Sequence, residues 1–204
     1  LYENGGISAL GGIHSYQLPN NEDGTIDIEK IENAIRTDDV HFPKTKLISL
    51  ENTHNKCYGA PLEIDYINSV CDLAHENKIN VHMDGARLFN ACIALDVEPN
   101  QVLAHVDSVT FCLSKALSAP IGSILCGSSD FINNARYIRK SIGGGMRQSG
   151  IIAAAGIISL EHMVKRIKDD HNNAQLLAQG LSGIEGITLH GGVQTNMLFI
   201  REIR

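Results

Sequence analysis

Asp107-Ser-Val-Thr-Phe-Cys-Leu-Ser-Lys115-Ala-Leu-Ser-Ala-Pro120-Ile-Gly122-Ser-Ile-Leu-Cys-Gly127 is the stretch whose reading decides the fold. Its first part, Ser108 to Leu113, is apolar and β-prone and has the length of a buried strand. The run stops on Ser114 and Lys115, passes a small-residue turn with Pro120 and Gly122, and resumes as a second strand, Ile121 to Cys126. A lysine between two buried strands is out of place on packing grounds, because an ammonium buried without a partner is strongly penalised or loses its proton. A lysine at a strand end that snorkels to solvent explains this stretch, taken alone, equally well.

Upstream, Ile79 to Met83 reads as a short strand ending on Asp84, with a helix from Gly85 to Leu95. In an open α/β sheet, ligand-binding groups gather at the carboxyl ends of strands. Asp84 and Lys115 both belong there, on two strands of one sheet. A carboxylate and an amine converging on one crevice are the two protein groups that a pyridoxal phosphate (PLP) site requires. The lysine forms the Schiff base, and the acid keeps the pyridine nitrogen protonated so that the ring accepts electrons. Asp84 on its own reads as a helix N-cap.

Three segments carry a family likeness: His82-Met-Asp-Gly-Ala-Arg-Leu-Phe-Asn-Ala91, Cys112-Leu-Ser-Lys-Ala-Leu-Ser-Ala-Pro-Ile-Gly-Ser123 and Gly143-Gly-Gly-Met-Arg-Gln148. They resemble the signatures of the low-specificity threonine aldolases, PLP enzymes of the aspartate-aminotransferase fold type in the β-eliminating-lyase group. Glu51-Asn-Thr-His-Asn55 and the Asp39-Val-His41-Phe stretch match as well, and the motifs keep their order over nearly the whole chain. Ala116 and Ser118 depart from the pattern, since the family more often has glycine at both. The resemblance implies an α/β fold: a PLP-dependent-transferase-like large-domain core with a mostly parallel sheet over residues 1–164, and the start of a small α+β domain over 165–204. It implies cleavage of L-threonine or L-allo-threonine, β-hydroxy-α-amino acids, into glycine and acetaldehyde, in a homo-oligomer of two or four subunits. Two other readings stay open: a related PLP lyase (a phenylserine aldolase or β-eliminating lyase), and a non-catalytic chain that keeps the fold and binds partners only.

Composition narrows the class. The chain has 204 residues, 43% hydrophobic and 20% charged, enough for one sizeable core. A net charge of −6 without a basic cluster argues against nucleic acid or an anionic membrane as partner. No run approaches the ~18 apolar residues of a membrane span, and no signal-peptide pattern opens the sequence. The five cysteines lie scattered in apolar segments with no metal-ligand spacing, so they read as reduced core residues of a cytoplasmic protein without a metal site.

The periodicity predicts helices over 26–35, capped by Asp27, and over 62–77, 85–95, 129–142 and 146–164. Residues 1–18 read as a short helix or turn feeding a strand. A strand over 46–50 ends on Glu51 and Asn52. Helices alternating with strands imply a largely parallel sheet. Beyond Lys165 a charged helix runs to Leu181, followed by strands over 187–189 and 196–203.

The remaining candidates surround the Asp84–Lys115 pair. Arg87, one helical turn past Asp84, suits a substrate carboxylate or the cofactor's phenolic oxygen, or is a surface arginine. Gly143 to Gly145, ahead of a helix, offer N–H groups to an anion, or form a plain loop. Arg147 resembles an arginine that the family directs to the active site, as a cofactor-phosphate or substrate-side contact. His41 and His54 are candidates for the substrate hydroxyl, His41 being the closer family match, although a loop histidine is more often structural. Asn52 reads equally as a neighbour of the ring and as a turn cap. Tyr2-Glu3 resembles the family's segment just after the residue that stacks on the ring. By the resemblance, the phosphate cup precedes Leu1 and a second carboxylate-binding arginine follows Arg204. These 204 residues alone are therefore expected to bind PLP weakly, to cleave threonine at background, and to self-associate.

Overall fold

Four β-prone runs line up as one sheet in the computed structural model, which describes residues 3–202. β1 (Leu47–Glu51), β2 (Asn80–Asp84), β3 (Ser108–Cys112) and β4 (Ser123–Gly127) follow one another in that order across the sheet. The first three are parallel, and β4 returns antiparallel to β3. Glu51, Asp84 and Thr110 stand in register, so the carboxyl ends of the three parallel strands are flush. Side chains alternate between faces. Leu50, Val81, Met83 and Val109 fill the apolar face and are buried. Ser49, His82 and Ser108, in register with one another, make the other face polar.

The helices are α1 (Gly6–Gly11), α2 (Ile28–Ala34), α3 (Ile64–Glu76), α4 (Leu88–Leu95), α5 (Pro99–Val102), α6 (Ser129–Ser141), α7 (Gly150–Ile158) and α8 (Ile167–Leu181). Of these, α2 to α5 close the apolar face. Helical spacing puts Ile67, Val70, Cys71 and Ala74 of α3 on one stripe. That stripe packs with Leu88 and Cys92 of α4 and Val102 of α5 against the sheet. Each Ile, Leu or Val of this set contributes about 1.5–3 kcal/mol on burial. Asp27 stands at the N-cap position of α2 but makes no capping bond. Its carboxylate instead accepts from Asn21 and pairs with Lys30.

Several boundaries differ from the periodicity: the helix expected from Gly85 starts at Leu88, and the strand expected over 121–126 runs over Ser123–Gly127. The helix expected from residue 146 starts at Gly150, because the glycines before it belong to the end of α6, where Gly144 N–H donates to the Arg139 carbonyl at 2.8 Å. Residues 12–20 hold no strand, although β1 at the margin of the sheet pairs with β2 alone among the described strands. From α7 the chain stays helical through a π turn (Ser159–Met163) and a 3-10 turn (Val164–Arg166) into α8.

β5 (Ile187–His190) and β6 (Phe199–Glu202) form a separate antiparallel pair. The strand expected from residue 196 begins at Phe199, and its end at Ile203 lies outside the described residues, as does Tyr2. This pair is anchored to the turn after β1. Thr195 Oγ1 donates to the Gly59 carbonyl at 3.0 Å, and the Tyr58 and Phe199 rings meet edge to face at 5.3 Å. Among the described residues no helix is long and apolar enough to cross a membrane.

Candidate active site

Asp84 closes β2, and its position follows from the glycine after it. Gly85 N–H donates to the Thr110 carbonyl at 2.7 Å. A Cβ at residue 85 would lie 3.0 Å from that carbonyl oxygen and 3.1 Å from Leu88 Cβ, so only glycine lets the chain leave β2 this close to β3. The exposed Asp84 carboxylate accepts the Ala86 N–H at 3.1 Å and keeps its other oxygen free of described partners. Arg87 then occupies the N-cap position of α4. It walls a small crevice with Cys112, Ala116 and Leu117, which sets the arginine beside the residue that follows Lys115.

Lys115 rides on a loop built to expose it. Leu113, Leu117 and Ala119 are buried and pack on Ile167 of α8, while Ser114, Lys115 and Ser118 face outward. The loop is closed by Leu113 N–H to the Gly122 carbonyl (2.9 Å), Ala119 N–H to the Leu113 carbonyl (3.0 Å) and Ser118 N–H to the Lys115 carbonyl (2.8 Å). No described carboxylate forms an ion pair with Lys115. Ser118 has φ +61°, the left-handed region that suits glycine, which gives the family's glycine preference there a backbone reason.

The other candidates are placed as follows. Asn52 is fully buried under the Asp84 strand end. Its N–H donates to the Asp84 carbonyl at 2.8 Å, and its Oδ1 accepts from Leu62 N–H at 3.1 Å. Asn52 Nδ2 and the neighbouring Thr53 Oγ1 are buried polar atoms with no partner among the described residues. His54 is half-buried and serves its own turn. Its Nδ1 accepts from Cys57 N–H at 3.2 Å, and its Nε2 lies 3.6 Å from a Glu51 carboxylate oxygen. His41 is exposed on the loop before β1, its Nδ1 2.7 Å from Asp39 Oδ1. The His41 backbone N–H, and then its ring, hold the Asp39 carboxyl below its usual range. Arg147 is exposed in the loop between α6 and α7, and no hydrogen bond or ion pair joins it to another described residue. The structure thus brings Asp84, Lys115, Arg87 and Asn52 to one edge of the sheet, and ties His54 to a turn.

His82 was missed. It lies two residues before Asp84, hence on the same face of the strand, and period-two counting from Asp84 would have found it. Its Nδ1 is 2.9 Å from Ser108 Oγ and its Nε2 3.3 Å from Thr110 Oγ1. Burial pushes its pKa down, against the pull of the Asp84 charge, so the ring stays neutral.

An exposed amine with no counter-ion among the described residues, an acid at the next strand end, and amide and hydroxyl groups near that acid without a described partner make a donor set that fits PLP. Residues 1–203 match the Beta-eliminating lyase family. Low-specificity L-threonine aldolase 1 of Arabidopsis thaliana is 46% identical over 203 residues, covering 98% of this chain and 57% of that protein. The low specificity L-threonine aldolase of Escherichia coli (strain K12) is 43% identical over 201 residues, 98% of this chain and 59% of that one. The solved Leishmania major threonine aldolase superposes with a TM-score of 0.82 at 23% identity, over 98% of this chain and 58% of its own. A PLP-dependent aminotransferase from Streptococcus suis 89-1591 superposes at 0.65 with 17% identity, over 92% and 49%. These structures share the fold. The chain spans a little over half the length of the curated relatives it matches.

Proposed function

This chain belongs to the beta-eliminating lyase family, and from that premise we propose that the complete protein carrying it is a PLP-dependent carbon–carbon lyase. It cleaves L-threonine and L-allo-threonine to glycine and acetaldehyde. The observation that carries this reading is the pairing of an exposed acid, Asp84, with an exposed amine, Lys115, at the edge where adjacent parallel strands end flush. The relatives' printed names support the substrate class.

PLP, when bound, supplies an electron sink for the pair released by Cα–Cβ cleavage. Lys115 would hold it covalently and release it to the substrate amine. Asp84 would keep the ring nitrogen protonated, steadied by the Ala86 N–H and by Asn52 beneath it. Arg87, at the crevice beside Ala116, would bind a carboxylate or phenolate oxygen bidentately. Arg147 would contact the phosphate or the substrate carboxylate. Of the two histidines, His54 has both ring nitrogens engaged within its turn. His41 donates from Nδ1 to Asp39 and keeps the Nε2 lone pair outward, so it is the better group to take the β-hydroxyl proton. Residues 1–164 form the cofactor-binding core and 165–204 open a smaller domain. The enzyme works in the cytoplasm as a homo-oligomer.

The test is glycine and acetaldehyde release by the complete protein with added PLP, beside benzaldehyde release from phenylserine. Acetaldehyde release that Lys115→Ala abolishes supports the proposal. Preferential benzaldehyde release assigns the protein to a related lyase, and no release from either substrate overturns it.

A further inference from the structure

Asn90 is a polar residue in the apolar run of α4, Leu88-Phe-Asn-Ala-Cys-Ile-Ala-Leu95, and it is 1% exposed. A buried amide is retained without penalty only if its hydrogens are taken up. Its Nδ2 lies 3.1 Å from Nε2 of His171 on α8 and donates to Asn196 Oδ1 at 3.0 Å. An amide nitrogen has two hydrogens and no lone pair to offer, so His171 Nε2 must be the acceptor in a neutral ring. His171 is itself buried, one turn along α8 from Ile167. Ile167, fully buried, is the side chain on which Leu113 and Leu117 of the Lys115 loop rest.

The two contacts share one helix face. Ile167 and His171 are four residues apart, so both point at the α4–β3 side of α8. On α4, Asn90 lies one turn past Arg87, and Phe89 packs in the same cluster as Leu113 and Leu117. The apolar packing at Ile167 tolerates sliding along α8, because dispersion contacts are non-directional. A two-sided hydrogen bond to a fixed amide does not.

We propose that Asn90 and His171 are positioning residues: their hydrogen bond sets the register of α8 on α4, and through Ile167 holds the Lys115 loop against the Asp84–Arg87 junction. The catalytic consequence rests on the function proposed above, while the mechanical one does not.

The experiment uses the complete protein and three variants: His171→Leu, Asn90→Leu and His171→Gln, whose side-chain carbonyl can still accept from Asn90. Amide hydrogen exchange is read at Ser118 and Ala119, which close the lysine loop, and at Val81 and Met83 in the sheet as internal control. The proposal predicts that both leucine variants speed exchange at 118 and 119 by about tenfold or more with the sheet amides unchanged. With threonine, kcat falls about tenfold and KM stays within about twofold, the pattern of a misplaced reacting group. His171→Gln restores both readouts. Unchanged exchange in the loop, equal acceleration of loop and sheet, or no rescue by glutamine overturns it. If the unsubstituted protein releases no glycine, the function proposed above fails, and the exchange data alone still decide whether this bond holds the loop.

Discussion

Asp84 and Lys115 stand out as candidates in the sequence because each is chemically out of place: Asp84 closes one apolar, strand-length run, and Lys115 lies just beyond the end of another, after Ser114. Asn52 and His54 were not separable by that logic. Whether a polar group caps a turn or faces a ligand depends on Leu62 and Cys57, which meet it only in the folded chain. The Asp84 carboxylate should be irreplaceable in charge but tolerant in length. We expect Asp84→Ala to lower kcat by about 10²-fold or more and Asp84→Glu to lower it far less. Equal turnover of Asp84→Ala and the unsubstituted protein would reduce Asp84 to the Ala86 turn contact. Ser118 gives a stability prediction at the same scale. Its left-handed backbone is strained by about 1–2 kcal/mol, partly offset by the unfolded-state entropy that glycine adds. Ser118→Gly should therefore raise unfolding stability by ~0.5 kcal/mol, read as a higher urea midpoint at unchanged m-value. A lower midpoint would mean that the Ser118 hydroxyl matters more than the backbone.

Helix phase was readable and helix ends were less so. The buried stripe of α3 is the one its spacing predicts, because burial and periodicity are the same fact. The start of α7 was misjudged because three glycines can either open a helix or close the one before, and here Gly143 and Gly144 bond back to α6. Two elements carry histidines that folding keeps neutral. Burial pushes His82 on β2 and His171 on α8 below their usual value of 6.5, against the opposing charges of Asp84 and Asp170. The unfolded chain then binds more protons than the folded one as acid is added. This part of the stability is present above pH ~6.5 and is lost as pH falls through the lowered folded values. We expect the urea midpoint to drop between about pH 7.5 and about pH 5.5, and the drop to flatten in a His82→Gln, His171→Gln double variant. The same slope in both proteins would contradict this.

At the scale of the whole molecule, the mostly parallel sheet was legible from alternating helices and strands, whereas the docking of the β5–β6 pair was not. That docking depends on Thr195 meeting Gly59 and Phe199 meeting Tyr58, contacts between residues far apart in sequence with no local pattern. The surface explains the expected self-association. α7 is apolar all round, yet Ile151 is 86% exposed, and Tyr137, Ile142, Met146 and Ile158 are exposed near it in sequence. A helix of that composition belongs in an interior. Sedimentation of these 204 residues should show mass rising with concentration, and Ile151→Lys should reduce it. A concentration-independent monomer would show that this apolar surface drives no association. The central claim, that Lys115 at the edge of the sheet is the residue that holds PLP, has one direct measurement. The complete protein is incubated with PLP, reduced with borohydride, digested and mapped by mass spectrometry. The account predicts a phosphopyridoxyl mass on the peptide containing Lys115 and its loss in Lys115→Ala with the fold retained, and a label on another lysine, or none, would contradict it.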